Sequence, residues 1–83
     1  PNPFNAGTVI RYQTANDGNV DLHVYDLLGQ HVATLKSGWM PAGNHVVTWD
    51  GRGIDGHTVA SGVYIYRLVT RQGAETRKLL MLR

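Results

Sequence analysis

Apolar and polar residues alternate with a period of two along most of this chain, and turn-forming residues interrupt the alternation about every ten residues. Val20, Leu22 and Val24 fall on one side of one such segment, with Asp21 and His23 on the other. A period of two, rich in β-branched and aromatic residues, is typical of β-strands that bury one face. The pattern therefore predicts an all-β protein.

The turn signals divide the chain into about seven predicted strands. These cover residues 8–14, 19–26, 31–37, 44–50, 57–60, 63–70 and 74–82. A sheet with one apolar face needs a second layer to cover it, so we expect two antiparallel sheets packed as a β-sandwich. Trp49, which alternates with Val47, is expected at the centre of the core. Trp39 is assigned to a turn, where it would either cap one end of the sandwich or join a contact patch.

Composition excludes several classes of protein. The 83 residues include no cysteine, which rules out disulfides, thiolate metal sites and cysteine nucleophiles. The net charge of +2 is too small and too dispersed to indicate nucleic-acid binding. No apolar run reaches the roughly 18 residues of a membrane-spanning helix. The start at Pro1 has no initiator Met or leader, so we expect one domain, residues 1–83, cut from a longer protein.

Residues with catalytic or metal-binding potential form no recognised motif. Ser37 and Ser61 lie outside a Gly-x-Ser-x-Gly elbow, and Glu75 is the only glutamate. We therefore expect neither catalysis nor a cofactor. The four histidines, His23, His31, His45 and His57, lie on different predicted strands or strand starts without metal-ligand spacing, so they are expected to be structural.

The glycine-rich segment from Asp50 to Gly56 offers two carboxylates and leaves calcium binding open. Arg52 and Ile54, however, stand where an EF-hand requires oxygen ligands. We therefore prefer an interpretation in which the glycines adopt positive φ and the aspartates accept local backbone hydrogen bonds.

Five landmarks follow one another in a fixed order. They are Pro1-Asn2-Pro3-Phe4-Asn5, Val24-Tyr25-Asp26-Leu27-Leu28-Gly29, Trp49-Asp50-Gly51-Arg52, Ala60-Ser61-Gly62-Val63-Tyr64-Ile65-Tyr66-Arg67-Leu68, and Arg77-Lys78 before an apolar tail. Together they resemble the FlgD-like immunoglobulin domain family, which overlaps the type A C-terminal sorting domains of the type IX secretion system. Gly53 departs from the family pattern, because many relatives have Asp there.

The resemblance implies a non-catalytic, immunoglobulin-like sandwich that ends a larger protein of a Gram-negative bacterium. Such a domain targets its cargo through the periplasm and outer membrane to the cell surface. Its implied partners are proteins of the outer-membrane secretion machinery and a sortase-like protease, with no nucleic acid and no membrane span. The domain is expected to be a monomer, with residues 1–5 as the lead-in from the upstream cargo domain.

The last hairpin, from Tyr64 to Arg83, is the candidate partner-binding surface. Arg77, Lys78 and Arg83 would supply charged contacts, whereas Tyr64 and Tyr66 are either core residues or direct contacts. Two other functions stay open. One is a structural spacer or assembly module, as in the flagellar hook-cap scaffold protein of the family. The other is a carbohydrate-binding accessory domain, which would need Trp39 and Tyr25 in one exposed row.

Overall fold

The computed structural model describes residues 7–82. The predictions for the lead-in at residues 1–5 and for Arg83 lie outside this range. Every regular element within it is a β-strand. The strands are β1 (Thr8–Thr14), β2 (Gly18–Tyr25), β3 (His31–Met40), β4 (Gly43–Trp49), β5 (Gly62–Thr70) and β6 (Gly73–Met81). In this part of the chain there is no helix with the length and hydrophobicity to cross a membrane.

The strands form two antiparallel sheets. One contains β1 and β4, and the other has the strand order β3-β2-β5-β6. The described residues thus contain six strands instead of the predicted seven, because residues 57–60 make only an isolated bridge between Thr58 and Arg52. The Gly53 N–H donates to the His57 carbonyl and the Gly56 N–H donates to the Gly53 carbonyl, which folds this segment into a compact loop.

Buried side chains from both sheets form one core around Trp49, as the alternation predicts. Its members are Ile10, Tyr12, Val20, Leu22, Val24, Ala33, Trp49, Tyr64, Leu68, Leu79 and Met81. Trp49 is 1% exposed, and its ring meets the ring of Tyr64 edge-on at 5.1 Å between centroids. This contact joins the two sheets, since Trp49 ends β4 and Tyr64 lies on β5.

Trp39 lies on a strand and not in the predicted turn. It faces Asn19 across the β2–β3 pair, and it is 59% exposed. Asn19 precedes the buried Val20, so both Asn19 and Trp39 occupy the outer face of the four-stranded sheet. Two register shifts between β2 and β3 leave extra residues in β3, and the strand continues to Met40, which pairs with Gly18. Trp39 therefore does not cap the core.

The two ends of the molecule differ, and we name them the closed end and the open end. The closed end contains the start of β1, the 26–30 turn, the 50–61 loop and the end of β6. There the Thr8 hydroxyl donates to the Leu80 carbonyl at 3.2 Å. The residue before Thr8 must be a glycine, because a Cβ on Gly7 would overlap the Trp49 carbonyl oxygen. The open end contains the three tight turns at residues 15–17, 41–42 and 71–72.

Candidate functional site

Most of the exposed large apolar side chains among residues 7–82 belong to the closed end. We call six of them the apolar end surface: Leu27, Leu28, Ile54, Val63, Leu80 and Leu82. Leu27 and Leu28 form the tip of the β2–β3 turn, and Leu28 is 85% exposed. Val63 and Leu80 face each other across β5 and β6. Adjacent exposed apolar side chains such as Leu27 and Leu28, or Val63 and Leu80, are candidates for contact with another protein.

Asp26 fixes the turn that presents the two leucines. Its carboxylate Oδ1 accepts hydrogen bonds from the backbone N–H groups of Leu28 and Gln30, both at 2.9 Å. The Gly29 N–H donates to the Asp26 carbonyl at 3.0 Å, and Gly29 adopts a φ of 83°. An aspartate that closes its own turn in this way holds the chain in one conformation. Leu27 and Leu28 are therefore presented on a rigid support.

Backbone and side-chain groups of the 50–57 loop satisfy one another. Asp50 Oδ1 accepts from the Arg52 N–H at 2.9 Å, and Asp55 Oδ1 accepts from the His57 N–H at 2.9 Å. The Arg52 guanidinium donates to the Gly56 carbonyl at 3.0 Å. Hydrogen bonds from the His57 backbone and side chain lower the pKa of Asp55. Both aspartates thus accept hydrogen bonds from the backbone of their own loop, as the interpretation preferred from the sequence predicts.

The described residues form no cluster of side chains typical of a structural metal site. Within residues 7–82, no group of three or more His, Cys, Asp or Glu side chains is placed to hold a metal ion. Structural zinc and calcium sites generally need four or more protein ligands. The preference for a structural loop over a calcium site at residues 50–56 stays a prediction.

A cleft of about 1050 Å³ separates the two sheets at the open end. Tyr12, His45, Tyr66, Glu75 and Arg77 are among the residues that line it. His45 Nε2 lies 2.8 Å from the Pro41 carbonyl oxygen and 3.2 Å from the Thr14 hydroxyl. Burial raises the pKa of the Tyr12 hydroxyl. The Arg77 guanidinium lies 3.8 Å from the Glu75 carboxylate, so the charges at the rim of the cleft are partly neutralised by each other.

The residues predicted to form the partner surface do not share one face. Tyr64 is in the core, and its hydroxyl donates to the Ala60 carbonyl at 2.7 Å. Tyr66 is half-buried and packs against the core. Arg77 lies on the inward side of β6 and lines the cleft. The exposed Lys78 lies on the outward side, opposite Ile65. Binding of a partner by Arg77 and Lys78 stays a prediction. Tyr64 is buried, so it packs in the core.

The two aromatic residues proposed for carbohydrate binding lie far apart on the four-stranded sheet. Trp39 lies opposite Asn19, and Tyr25 lies at the other end of β2. Six residue steps along a strand span about 20 Å. Tyr25 instead contacts His31. Sequence spacing missed this contact because only the register of the β2–β3 pair brings Tyr25 and His31, six positions apart, together.

A model of the FlgD Ig-like domain family matches residues 4–74. The chain belongs to this family. Its relatives include two proteins named basal-body rod modification protein FlgD, from Salmonella typhimurium (strain LT2) and Salmonella typhi. Each is 40% identical to this chain over 50 residues, which is 60% of the chain. The match covers only 22% of each relative's length.

The family match supports one half of the resemblance seen in the sequence. It establishes the FlgD-like Ig domain, in agreement with an all-β chain of two antiparallel sheets. It does not extend to the type IX sorting domains. The matched range ends at Ala74, so Arg77 and Lys78 lie beyond it.

Proposed function

We propose that this FlgD-like Ig domain is a non-catalytic structural module that fixes a larger protein in an assembly outside the cytoplasm through contacts with other proteins. The observation that carries the proposal is the family match over residues 4–74, together with the two relatives named as basal-body rod modification proteins. A structural spacer or assembly module is one of the two alternatives to a sorting domain that the sequence leaves open, and the comparisons favour it over a sorting domain.

The apolar end surface supplies the contact area for such a role. Leu27 and Leu28 are exposed on a turn that Asp26 holds rigid, so little conformational entropy is lost when a partner covers them. Full burial of one leucine side chain contributes about 1.5–3 kcal/mol. Covering two adjacent leucines therefore favours binding, and the rigid turn reduces the ordering cost that opposes it.

The polar groups of the open-end cleft also fit a module without catalysis. Its one carboxylate, from Glu75, is paired with Arg77 on the same strand. His45 is bonded to the Pro41 carbonyl and the Thr14 hydroxyl, neither of which is an activated nucleophile. Among the described residues that line the cleft, Glu75 therefore has no second carboxylate facing it, of the kind that glycoside hydrolysis uses.

The test is a double variant, Leu27→Ser with Leu28→Ser, introduced into the full-length parent protein in its host. We expect the parent to be exported normally but to be lost from its assembly. The matched control is Val46→Ser, because Val46 is an exposed apolar residue of β4 near the open end. Thermal melts of the isolated chains check that both variants fold. An assembly that retains the folded leucine variant would contradict the proposal.

A second candidate function is the sorting address. The feature in its favour is that β6 is an edge strand of the four-stranded sheet, with Arg77 and Lys78 exposed. The charge-reversed variant Arg77→Glu with Lys78→Glu separates the two functions. An address would lose export of the parent in this variant and keep it in the leucine variant. A structural module would keep export in both variants and would lose its place in the assembly only in the leucine variant.

A further inference from the structure

Two histidines meet on the outer face of the four-stranded sheet, on either side of the 26–30 turn. His23 lies on β2 and His31 begins β3. Their ring centroids are 5.0 Å apart, with the planes at 89°. The ring of Tyr25 lies 5.8 Å from that of His31 and 6.2 Å from that of His23. The three rings therefore form one cluster, and Val24 between them points into the core.

The two imidazoles converge on a single hydroxyl group. His23 Nδ1 lies 2.9 Å from Thr34 Oγ1, and His31 Nε2 lies 3.0 Å from the same oxygen. A hydroxyl has one hydrogen to donate, so it can donate to only one of the two nitrogens. The other nitrogen must carry a hydrogen and donate to the oxygen. One ring nitrogen from each strand is thus already directed at the same point in space.

We propose that His23 and His31 form a binding site for a divalent transition-metal ion, with Cu²⁺ bound more tightly than Ni²⁺ or Zn²⁺. Imidazole is a preferred ligand for all three ions, and Cu²⁺ has the highest affinity in this series. The ion takes the place of the Thr34 hydroxyl between the two nitrogens. Metal–nitrogen distances of about 2.0–2.1 Å are shorter than the present nitrogen–oxygen distances, so the Thr34 side chain rotates away and each ring moves inward by about 1 Å.

The backbone beneath the site is rigid, which limits the cost of bringing the two ligands together. β2 is an inner strand, paired with β3 on one side and β5 on the other. The turn that links His23 to His31 is closed by Asp26, whose N–H donates to the Gln30 carbonyl at 3.0 Å. Two nitrogens without a third protein ligand leave coordination positions open to water or to a donor from another molecule. The site is therefore suited to reversible capture.

The other two histidines provide the contrast. His45 is held by the Pro41 carbonyl and the Thr14 hydroxyl at the cleft. His57 is highly exposed, and its Nδ1 lies 3.2 Å from an Asp55 carboxylate oxygen. His57 thus offers one imidazole beside one carboxylate, and it is the matched single-histidine control.

The test is a titration of the 83-residue chain with Cu²⁺, with the terminal amine acetylated to remove a competing ligand. Electron paramagnetic resonance counts the nitrogens bound to the ion. We expect hyperfine splitting from two imidazole nitrogens in the unchanged chain and in His57→Gln. His23→Gln and His31→Gln should each show one nitrogen and at least about tenfold weaker binding, since loss of a mere outer-shell group already costs 10–100-fold.

Circular dichroism and thermal melts establish that the variants fold, which we expect because both histidines are on the surface. A single bound nitrogen in the unchanged chain would overturn the proposal. So would unchanged Cu²⁺ affinity in both His23→Gln and His31→Gln, or an equal loss in His57→Gln.

Discussion

The closed and open ends of the molecule are built by the same two sheets, yet only one of them is filled by side chains. β6 shows the difference along a single strand. Its inward side carries Glu75 and Arg77 at the open end and Leu79 and Met81 at the closed end. The period of two is unbroken, so the alternation by itself does not close the space between the sheets. The residue type at each inward position decides whether the space between the sheets is closed.

The closed end is filled because its large aromatic side chains also find polar partners. The Trp49 indole N–H donates to the Arg52 carbonyl at 3.0 Å, and the Tyr64 hydroxyl donates to the Ala60 carbonyl. At the open end, moving Glu75 and Arg77 out of water would cost several kcal/mol for each ion. The sheets therefore stay apart there, and the cleft results.

The largest expected effect comes from removing the aromatic side chain at the closed end. Trp49→Ala should lower the free energy of unfolding by about 3–5 kcal/mol, a large part of the 5–15 kcal/mol typical of a small domain. Trp39→Ala is the matched control, because Trp39 is exposed on the outer face, and it should change stability by no more than about 0.5 kcal/mol. Urea titrations measure both. Equal losses in the two variants would show that Trp49 has no special role in closing the sheets.

A second pair of variants compares the two ends directly on one strand. Leu79→Ala should cost about 2–5 kcal/mol because it leaves a cavity in the core. Arg77→Ala, two residues away on the same side of β6, should stay within about 0.5 kcal/mol because Arg77 is exposed and lines the cleft. The same urea titrations apply. If Arg77→Ala were as costly as Leu79→Ala, the cleft would be part of the core.

The turn at Asp26 should show an intermediate effect. Asp26→Ala removes the acceptor of two backbone N–H groups, so we expect a loss of about 1 kcal/mol. Leu28→Ala in the same turn is the control, and it should leave stability nearly unchanged since its side chain is exposed. Differential scanning calorimetry compares the melting temperatures. A larger loss for Leu28→Ala than for Asp26→Ala would mean that the leucine packs against the fold.

The strands and the core followed from the sequence because burial alternates wherever a strand covers the core. Trp49, Leu22 and Val24 are buried as their positions in that pattern predict. The same rule misjudged residues 57–60, whose short alternating run lies in a loop held by its own hydrogen bonds. Alternation over so few residues does not distinguish a strand from a bridge.

The candidate sites depended on pairing, which a single sequence does not contain. The side of β6 taken by Lys78 follows from alternation, but its neighbour across the sheet follows only from register. The register shifts in the β2–β3 pair likewise placed Trp39 on the outer face and brought His23 beside His31. Bulges of this kind arise from the competition between strand pairing and turn geometry, which no local pattern specifies.

Asp55 should show the smallest effect, and it tests whether the exposed loop of the closed end contributes to folding at all. Its pKa is lowered in the folded chain by hydrogen bonds from His57. A lowered pKa adds stability above the ordinary aspartate pKa of about 3.9, and this gain is lost as the pH falls through the folded-state value. Asp55→Asn keeps an oxygen acceptor but removes the charge. The wild-type advantage over Asp55→Asn in urea midpoints should therefore be small at pH 6 and vanish toward pH 2, because the loop is in solvent and the closed end is held by Trp49. An advantage that grew with added acid would reverse the sign and show that Asp55 is strained, not stabilised, in its loop.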